Sequence, residues 1–385
     1  MNDILTRGVA NIIPSRNELE KLLNSGQKLN VYFGIDPTAT NIHLGHAVPL
    51  RKLQKLAELG HNVTFLIGDF TALVGDTSDK DSERPILTIK EIEENFQTYK
   101  KQAEKILDFS KIKVRHNSEW LAKLTYSEVF SIKQQFSLND FISRELIKKR
   151  LSEGKSVRLD ETEYPIMQGY DSYFMDTDIQ IGGTDQTFNM QAGRTLQKKL
   201  RGKESYILAT EFLMGTDGRK MSKSWGNAIW LTDEPFEMYR KVMAINDNQI
   251  KNYYLLGSNV PEADIPNEEE ITKNPMEAKK KLAEAIVKEL YSQEQAKKAQ
   301  EEFERVVQDK QLPEGGFLTL EVRDRFTILE SLGVLDYSRS EAKRLIEQGG
   351  VTLNGKKITD PHSKMEGGIL RIGKSMIRKV QVVIE

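Results

Sequence analysis

The 385-residue chain has no cysteine. That removes disulfides, thiolate zinc sites and cysteine nucleophiles from the chemistry open to it. It has almost no net charge, since 56 Lys and Arg stand against 57 Asp and Glu. A nucleic-acid partner would have to be met by a local basic surface and not by the field of the whole molecule. No apolar run approaches the roughly 20 residues of a membrane helix. The N-terminal stretch MNDILTRGVANIIP lacks a basic segment followed by an apolar core, so no signal peptide is read. The expectation is a cytoplasmic protein without membrane contact. Its length suffices for two or three domains.

The periodicity predicts an α/β fold. An apolar strand over Asn30–Ile35 leads into FGIDPTATNIHLGH (33–46). Leu50, Leu53, Leu56 and Leu59 then mark one face of a helix that Gly60 stops, and Val63–Ile67 reads as a buried strand. Strand, helix and strand within about 40 residues form one βαβ unit of a parallel sheet. A Gly- and Asp-rich loop follows (68–82), then an amphipathic helix over Thr88–Leu107 and a strand at 112–116. Residues 117–160 turn mostly helical and read as an insertion between two halves of the sheet. Strands are expected again at Asp178–Ile181 and Tyr206–Ala209, ahead of a basic loop, Gly215–Ser224. The domains read as 1–225, a Rossmann-like catalytic domain; 226–312, an α-helical domain; 313–324, a linker around Pro313-Glu-Gly-Gly316; and 325–385, a small α+β unit. That last unit holds eleven Lys and Arg against seven Asp and Glu.

Five stretches carry candidate chemistry. His43-Leu44-Gly45-His46 lies where a strand turns into a helix, a position whose unpartnered N–H groups and dipole suit phosphate. Taken alone it reads rather as a helix start with two surface histidines. Tyr164, Gln168 and Asp171 share one helix face at i, i+4, i+7, polar groups aimed at a ligand or at solvent. Asp178–Gln186 runs from a strand end through Gly182-Gly183 to Asp185, where doubly wound sheets bind ligands; a glycine turn with an Asp cap reads as well locally. Lys220 and Lys223 flank Met221-Ser222 in a basic loop suited to a leaving pyrophosphate, or simply exposed. Asp76, Lys80 and Arg84 offer one carboxylate and two further cations.

HLGH well ahead of KMSKS, in an α/β chain with a helical insertion, resembles the class I aminoacyl-tRNA synthetases. FGIDPTATNIHLGH, LVGDTSDKDSER, YPIMQGYD, QIGGTDQ and KMSKS, in this order, are similar to the bacterial tyrosyl type. The resemblance covers nearly the whole chain, and it assigns roles. Tyr32 and Asp171 bind the tyrosine hydroxyl; Asp76, Tyr164 and Gln168 hold its ammonium group. Gly34, Asp36, Thr38, Gly183 and Gln186 line the tyrosyl and adenylate site, and Asp185 takes the ribose. His43 and His46 donate to ATP phosphates, with Gly45 under the adenine. Lys80, Arg84, Lys220 and Lys223 close on pyrophosphate. ATP is then a substrate, with Mg²⁺ accompanying it, and no residue is assigned to a resident metal. Where the family commonly has proline after the loop aspartate, this chain has Thr77. The short spacing from Asp171 to Gln180 and the intact KMSKS indicate the KMSKS-bearing branch.

The rivals are a tryptophan-type relative, an inactive RNA-binding relative and a generic nucleotide-binding protein. The Tyr32/Asp171 pair speaks against the first, the intact motifs against the second and the tail against the third. That tail, Tyr337–Gly355, resembles an RNA-binding domain shared with a ribosomal protein. It places Arg339, Lys343 and Arg344 on a helix beside a short hairpin, for contact with tRNA(Tyr). The resemblance makes the helical domain an anticodon reader and the insertion a homodimer interface. Phe130, Phe136, Leu138 and Phe141 there are core or interface.

Overall fold

A computed structural model describes residues 2–38, 41–76, 88–221, 225–308, 319–335, 337, 339–373 and 376–383. Two compact units emerge. The first holds Met1–Met214, Trp230–Thr232 and Lys251–Ile265; the second holds Gly215–Ile229, Asp233–Ile250 and Pro266–Glu385.

The first unit is built on a six-stranded sheet of β1 (Val9–Ile13), β2 (Asn30–Ile35), β3 (Asn62–Ile67), β4 (Ile112–His116), β5 (Ile179–Gly183) and β6 (Tyr206–Thr210), ordered β1-β6-β5-β2-β3-β4. Five strands are parallel, and β1 closes one edge antiparallel to β6. Strand order reverses between β2 and β5, which makes their carboxyl ends the switch point where such sheets bind ligands. Val31, Phe33, Val63, Phe65 and Ile179 fill the core, while helix Ala47–Glu58 buries Leu50, Leu53 and Leu56. Helix Ile89–Ala103 is capped by the reciprocal bonds of Thr88 and Glu91 and buries Ile92, Phe96, Tyr99 and Ala103.

The insertion is helical over Ser118–Leu121, Tyr126–Lys133, Leu138–Ile142 and Glu145–Ser152. Its apolar residues divide. Phe141 is buried, with Phe136 set edge-on against it, whereas Phe130 and Leu138 are exposed. A buried ion pair secures the segment: Arg150 donates to both Glu161 oxygens at 2.6 and 3.1 Å and to the Ser156 carbonyl.

The second unit contains helices Pro235–Met243, Pro275–Leu290 and Gln293–Phe303, packed around Tyr239, Leu282 and Ile286. It also contains a five-stranded sheet of β7 (Thr319–Arg323), β8 (Val351–Leu353), β9 (Lys356–Lys357), β10 (Gly368–Ile372) and β11 (Met376–Val383), ordered β7-β11-β10-β8-β9. Helices Ile328–Gly333 and Arg339–Glu347 complete that core with Ile328, Leu332, Ala342 and Ile346.

Three sequence expectations change. Strand β1 is not predicted, because a mostly exposed edge strand carries little apolar signal. The range 313–324 is not all linker: β7 lies within it and pairs in parallel with β11, burying Leu320 and Val322 in strict alternation. The boundary at 225 also moves. The basic loop from Gly215 joins the second unit, while Lys251–Ile265 belongs to the first. That return has a cause in hydrogen bonding. Arg7 donates to the carbonyls of Tyr254, Leu255, Ser258 and Val260, and Arg51 to those of Leu256 and Gly257, satisfying the end of a helical turn far away in sequence.

Replacing Arg150 by Ala removes the ion-pair partner of the buried Glu161, leaving it the Arg158 N–H. Such a break costs about 3–5 kcal/mol, and urea unfolding of Arg150→Ala is expected to show a loss of that size.

Candidate active site

The switch point places Tyr32 directly opposite Gln180, as the β2–β5 register dictates. The Tyr32 hydroxyl donates to Gln180 Oε1 at 3.1 Å, and Gln180 Nε2 donates to the Met190 carbonyl. Both side chains are buried. Asp171 lies on helix Tyr164–Phe174, only 2 % exposed. Its carboxylate accepts from Trp120 Nε1 at 2.7 Å and from Asn117 Nδ2 at 3.2 Å. Burial pushes the Asp171 carboxyl well above the usual carboxylate range. The two N–H donors pull it back, and the charges of Asp36 and Asp69 push the same way as burial. The Tyr32 hydroxyl is likewise pushed up, by burial first and then by the charge of Asp171.

A second polar group forms beside it. Asp76 is buried and accepts from Gln186 Nε2 at 2.7 Å and Asn189 Nδ2 at 3.4 Å. Asp36 accepts from Tyr164 through its hydroxyl and from Thr71 Oγ1, each at 2.8 Å. Gln168, half-buried, makes no hydrogen bond to a described residue through its side chain. The arrangement offers carboxylates and amides to a cationic, hydrogen-bonding ligand, with a neutral phenol and an apolar wall of Leu66, Trp120 and Leu121 behind them.

The HLGH stretch forms the helix start predicted for it. His43 is the N-cap of a tight turn, Leu44–His46, that runs straight into helix Ala47–Glu58. The two imidazoles lie 3.9 Å apart, and His43 N–H donates to His46 Nδ1. Gly45 leaves room for its neighbour: a Cβ there would sit 3.0 Å from the His43 ring and press on it. Gly34 is exposed at the end of β2, open to a flat group. Thr38 closes a turn through its N–H to the Asp36 carbonyl. On the other side of the switch point, Gly183 is followed by Asp185 and Gln186 on a tight turn, and a Cβ at Gly183 would fall 2.7 Å from the Asp185 carboxylate.

Within the second unit, the basic loop is tied at its base. Gly215 N–H donates to the Arg219 carbonyl, and Asn227 Nδ2 bonds Asp217 and the Lys220 carbonyl. Arg219 stacks 4.0 Å from the Trp225 ring, and Lys220 is exposed. Farther on, Arg339, Lys343 and Arg344 all project from the exposed face of helix Arg339–Glu347, whose other face buries Ala342 and Ile346. The Asn354-Gly355 turn, with φ of 51° and 79°, joins β8 to β9 and exposes Lys356 and Lys357 beside them. Lys80, Arg84, Lys223 and the Thr77 variation lie outside the described residues.

Residues 24–308 match the family described as tRNA synthetases class I (W and Y), and residues 334–368 match the S4 domain. The tyrosine–tRNA ligase of Carboxydothermus hydrogenoformans is 41 % identical, covering 98 % of this chain and 97 % of that protein. The tyrosine–tRNA ligase of Thermotoga maritima is 39 % identical over 98 % and 96 %. A tyrosyl-tRNA synthetase from Archaeoglobus fulgidus, solved with L-tyrosine, superimposes with a TM-score of 0.58 at 25 % identity, over 77 % of this chain and 98 % of that one. The chain belongs to the class I tRNA synthetases of tyrosine type.

For a synthetase of this type, the sequence singles out the groups expected to face a ligand but not the residues that hold them. Gln180, Asn117, Trp120, Asn189 and Thr71 were not singled out. One signal was available for Gln180, a polar residue inside an otherwise buried parallel strand. Asn117 and Trp120 follow β4, at the carboxyl edge where such folds build sites.

Gly193 is tightly packed behind this pocket, since a Cβ there would lie 2.6 Å from Gln180 Oε1 and 2.7 Å from Ser172 Cβ. Gly193→Ala is expected to destabilise the fold by about 1–3 kcal/mol through overpacking, measured by thermal unfolding.

Proposed function

We propose that the chain attaches L-tyrosine to tRNA(Tyr) in two steps. The tyrosine carboxylate attacks the α-phosphate of ATP, breaking its bond to the bridging oxygen, so that tyrosyl-adenylate forms and pyrophosphate leaves. A hydroxyl of the terminal adenosine of the tRNA then attacks the acyl carbon and releases AMP. No protein nucleophile is needed; positioning and charge stabilisation carry the rate. ATP enters as its magnesium complex.

The observation that carries this reading is the buried pair of a phenol and a carboxylate, Tyr32 and Asp171, at the switch point of the sheet. Together they suit a ligand hydroxyl that donates to Asp171 and accepts from Tyr32 once the Tyr32 hydroxyl turns from Gln180 toward it. Asp76, Tyr164 and Gln168 hold the ammonium group, with Gln186 fixing Asp76. Gly34, Asp36, Thr38, Gly183 and Asp185 line the adenylate, Asp185 meeting the ribose. His43 and His46 donate to the phosphates and Gly45 lies by the adenine. Lys80, Arg84, Lys220 and Lys223 neutralise the pyrophosphate.

The helices Pro235–Met243, Pro275–Leu290 and Gln293–Phe303 of the second unit read the anticodon region, and the C-terminal domain binds the tRNA backbone through Arg339, Lys343 and Arg344. The working species is a cytoplasmic homodimer joined through the insertion. The exposure of Tyr126, Phe130, Leu138 and Leu159 supports that surface. No described helix is long and apolar enough to cross a membrane.

Asp171→Ala is expected to lower kcat/KM for tyrosine in ATP–pyrophosphate exchange by on the order of a hundredfold, the size of one lost charged hydrogen bond. ATP binding should change little, and undiminished exchange would refute the assignment. Truncation after residue 316 should leave exchange intact and impair tRNA charging. Equal charging by the shortened chain would remove the tail's role.

A further inference from the structure

His116 ends β4, one residue before Asn117, and is wired to the proposed substrate groups through Asp69. Its Nδ1 lies 3.3 Å from Asp69 Oδ2. Asp69 also accepts from the Phe70 N–H at 2.9 Å, the Ser118 N–H at 3.0 Å and the Ser118 hydroxyl at 2.6 Å. The residue between His116 and Ser118 is Asn117, fully buried, whose N–H donates to the Ile67 carbonyl. Asn117 Oδ1 accepts from the Phe70 N–H, while its Nδ2 donates to Thr71 and to Asp171. His116 and Asp69 therefore clamp, from outside, the two turns that aim the Asn117 amide at Asp171.

We propose that His116 is a positioning residue for tyrosine recognition, acting through its ion pair with Asp69 on the Asn117 amide. This rests on the reading of Asp171 as the group that meets the tyrosine hydroxyl. The charges facing His116 are those of Asp69 after β3, Glu93 on helix Ile89–Ala103 and Glu119 on the helix after β4. All three favour the imidazolium, and the hydrogen bond to Asp69 raises the His116 pKa most, against partial burial. The Phe96 ring stacks edge-on at 4.6 Å and fixes the imidazole plane. Arg115 does not compete for the histidine, since it is bonded to Glu119.

The sign follows from the raised pKa. The charged imidazolium, and with it the clamp, is complete below the unperturbed value of about 6.5 and is lost as pH rises through the higher folded value. The KM for tyrosine should accordingly rise as pH climbs above about 6.5, below the range where the tyrosine hydroxyl titrates.

The test is ATP–pyrophosphate exchange by the full chain at several pH values, for the wild type, His116→Gln and His116→Arg. His116→Gln should raise the tyrosine KM at about pH 6 on the order of five-fold, less than the tenfold of one pKa unit. Its kcat and ATP KM should stay level and its pH dependence should flatten. His116→Arg, a permanent cation, should restore a low KM at every pH. A wild-type KM in His116→Gln at low pH overturns the proposal, as does a parallel loss of kcat and ATP affinity. Asp171→Ala, assayed beside them, separates the two ideas. If it retains tyrosine activation, the recognition reading itself fails; if it loses activation while His116→Gln is silent, only the clamp fails.

Discussion

A carboxylate buried without an ion pair among the described residues is the constraint around which the first unit is arranged. Asp171 has two N–H donors, from Trp120 and Asn117. Desolvation of such a group costs several kcal/mol, and hydrogen bonds to the charged form return part of it. The upward shift means that the folded state holds the proton more tightly than the unfolded chain does, so this residue's contribution to stability falls as pH rises past the ordinary carboxylate range. A packed apolar residue would be cheaper there. The cost is intelligible if the carboxylate waits for a ligand donor, and buried groups with perturbed protonation concentrate at functional sites for that reason.

The donors are costly in their turn, because each must be held rigidly. Trp120 stacks on Phe174 at 4.7 Å, with Arg115 over both rings. Asn117 spends every polar atom of its side chain. From Asp171 a run of hydrogen bonds passes through Asn117 to Thr71, on to Asp36 and finally to the Tyr164 hydroxyl. The proposed phenol-binding and ammonium-binding ends of the pocket are thus one network. In a low-dielectric interior its members polarise one another, and a half-satisfied network would be worse than none. The satisfied one gives a pocket of fixed dimensions, which discrimination by a single hydroxyl requires, since a ligand without it leaves buried groups unpaired.

Legibility in the sequence followed the range of the interaction. The helix start at His43, the alternation of strand and helix, the helical insertion and the shared face of Tyr164, Gln168 and Asp171 are local patterns, and they were readable. Tyr32 and Gln180 are 148 residues apart, and Asp171 lies 51 and 54 residues from its donors. No local period announces such partners; the sheet register brings them together. Strand β7 was lost to a linker for a related reason. Its pattern is a plain alternation beside a Gly-rich stretch, and its partner β11 follows only after the rest of the domain. Resemblance named the residues proposed to face the ligand, whereas the residues that hold them came from geometry.

The distribution of charge completes the physical picture. The chain is nearly neutral, yet its cations are not mixed evenly with its function. The groups proposed to read the tyrosine ring are buried and fixed, with the Tyr32 hydroxyl neutral and Asp171 met only by neutral donors. The described cations proposed for phosphate, Lys220, Arg339, Lys343 and Arg344, are exposed, and the pair of Lys343 with Glu347 is loose at 3.9 Å. Exposed cations neutralise phosphate at little desolvation cost and release it when salt or reaction demands. Buried dipoles cannot do that, but they reject a near-identical ligand as no mobile charge can. A tyrosine-type synthetase has to do both, and this chain separates the two tasks by burial.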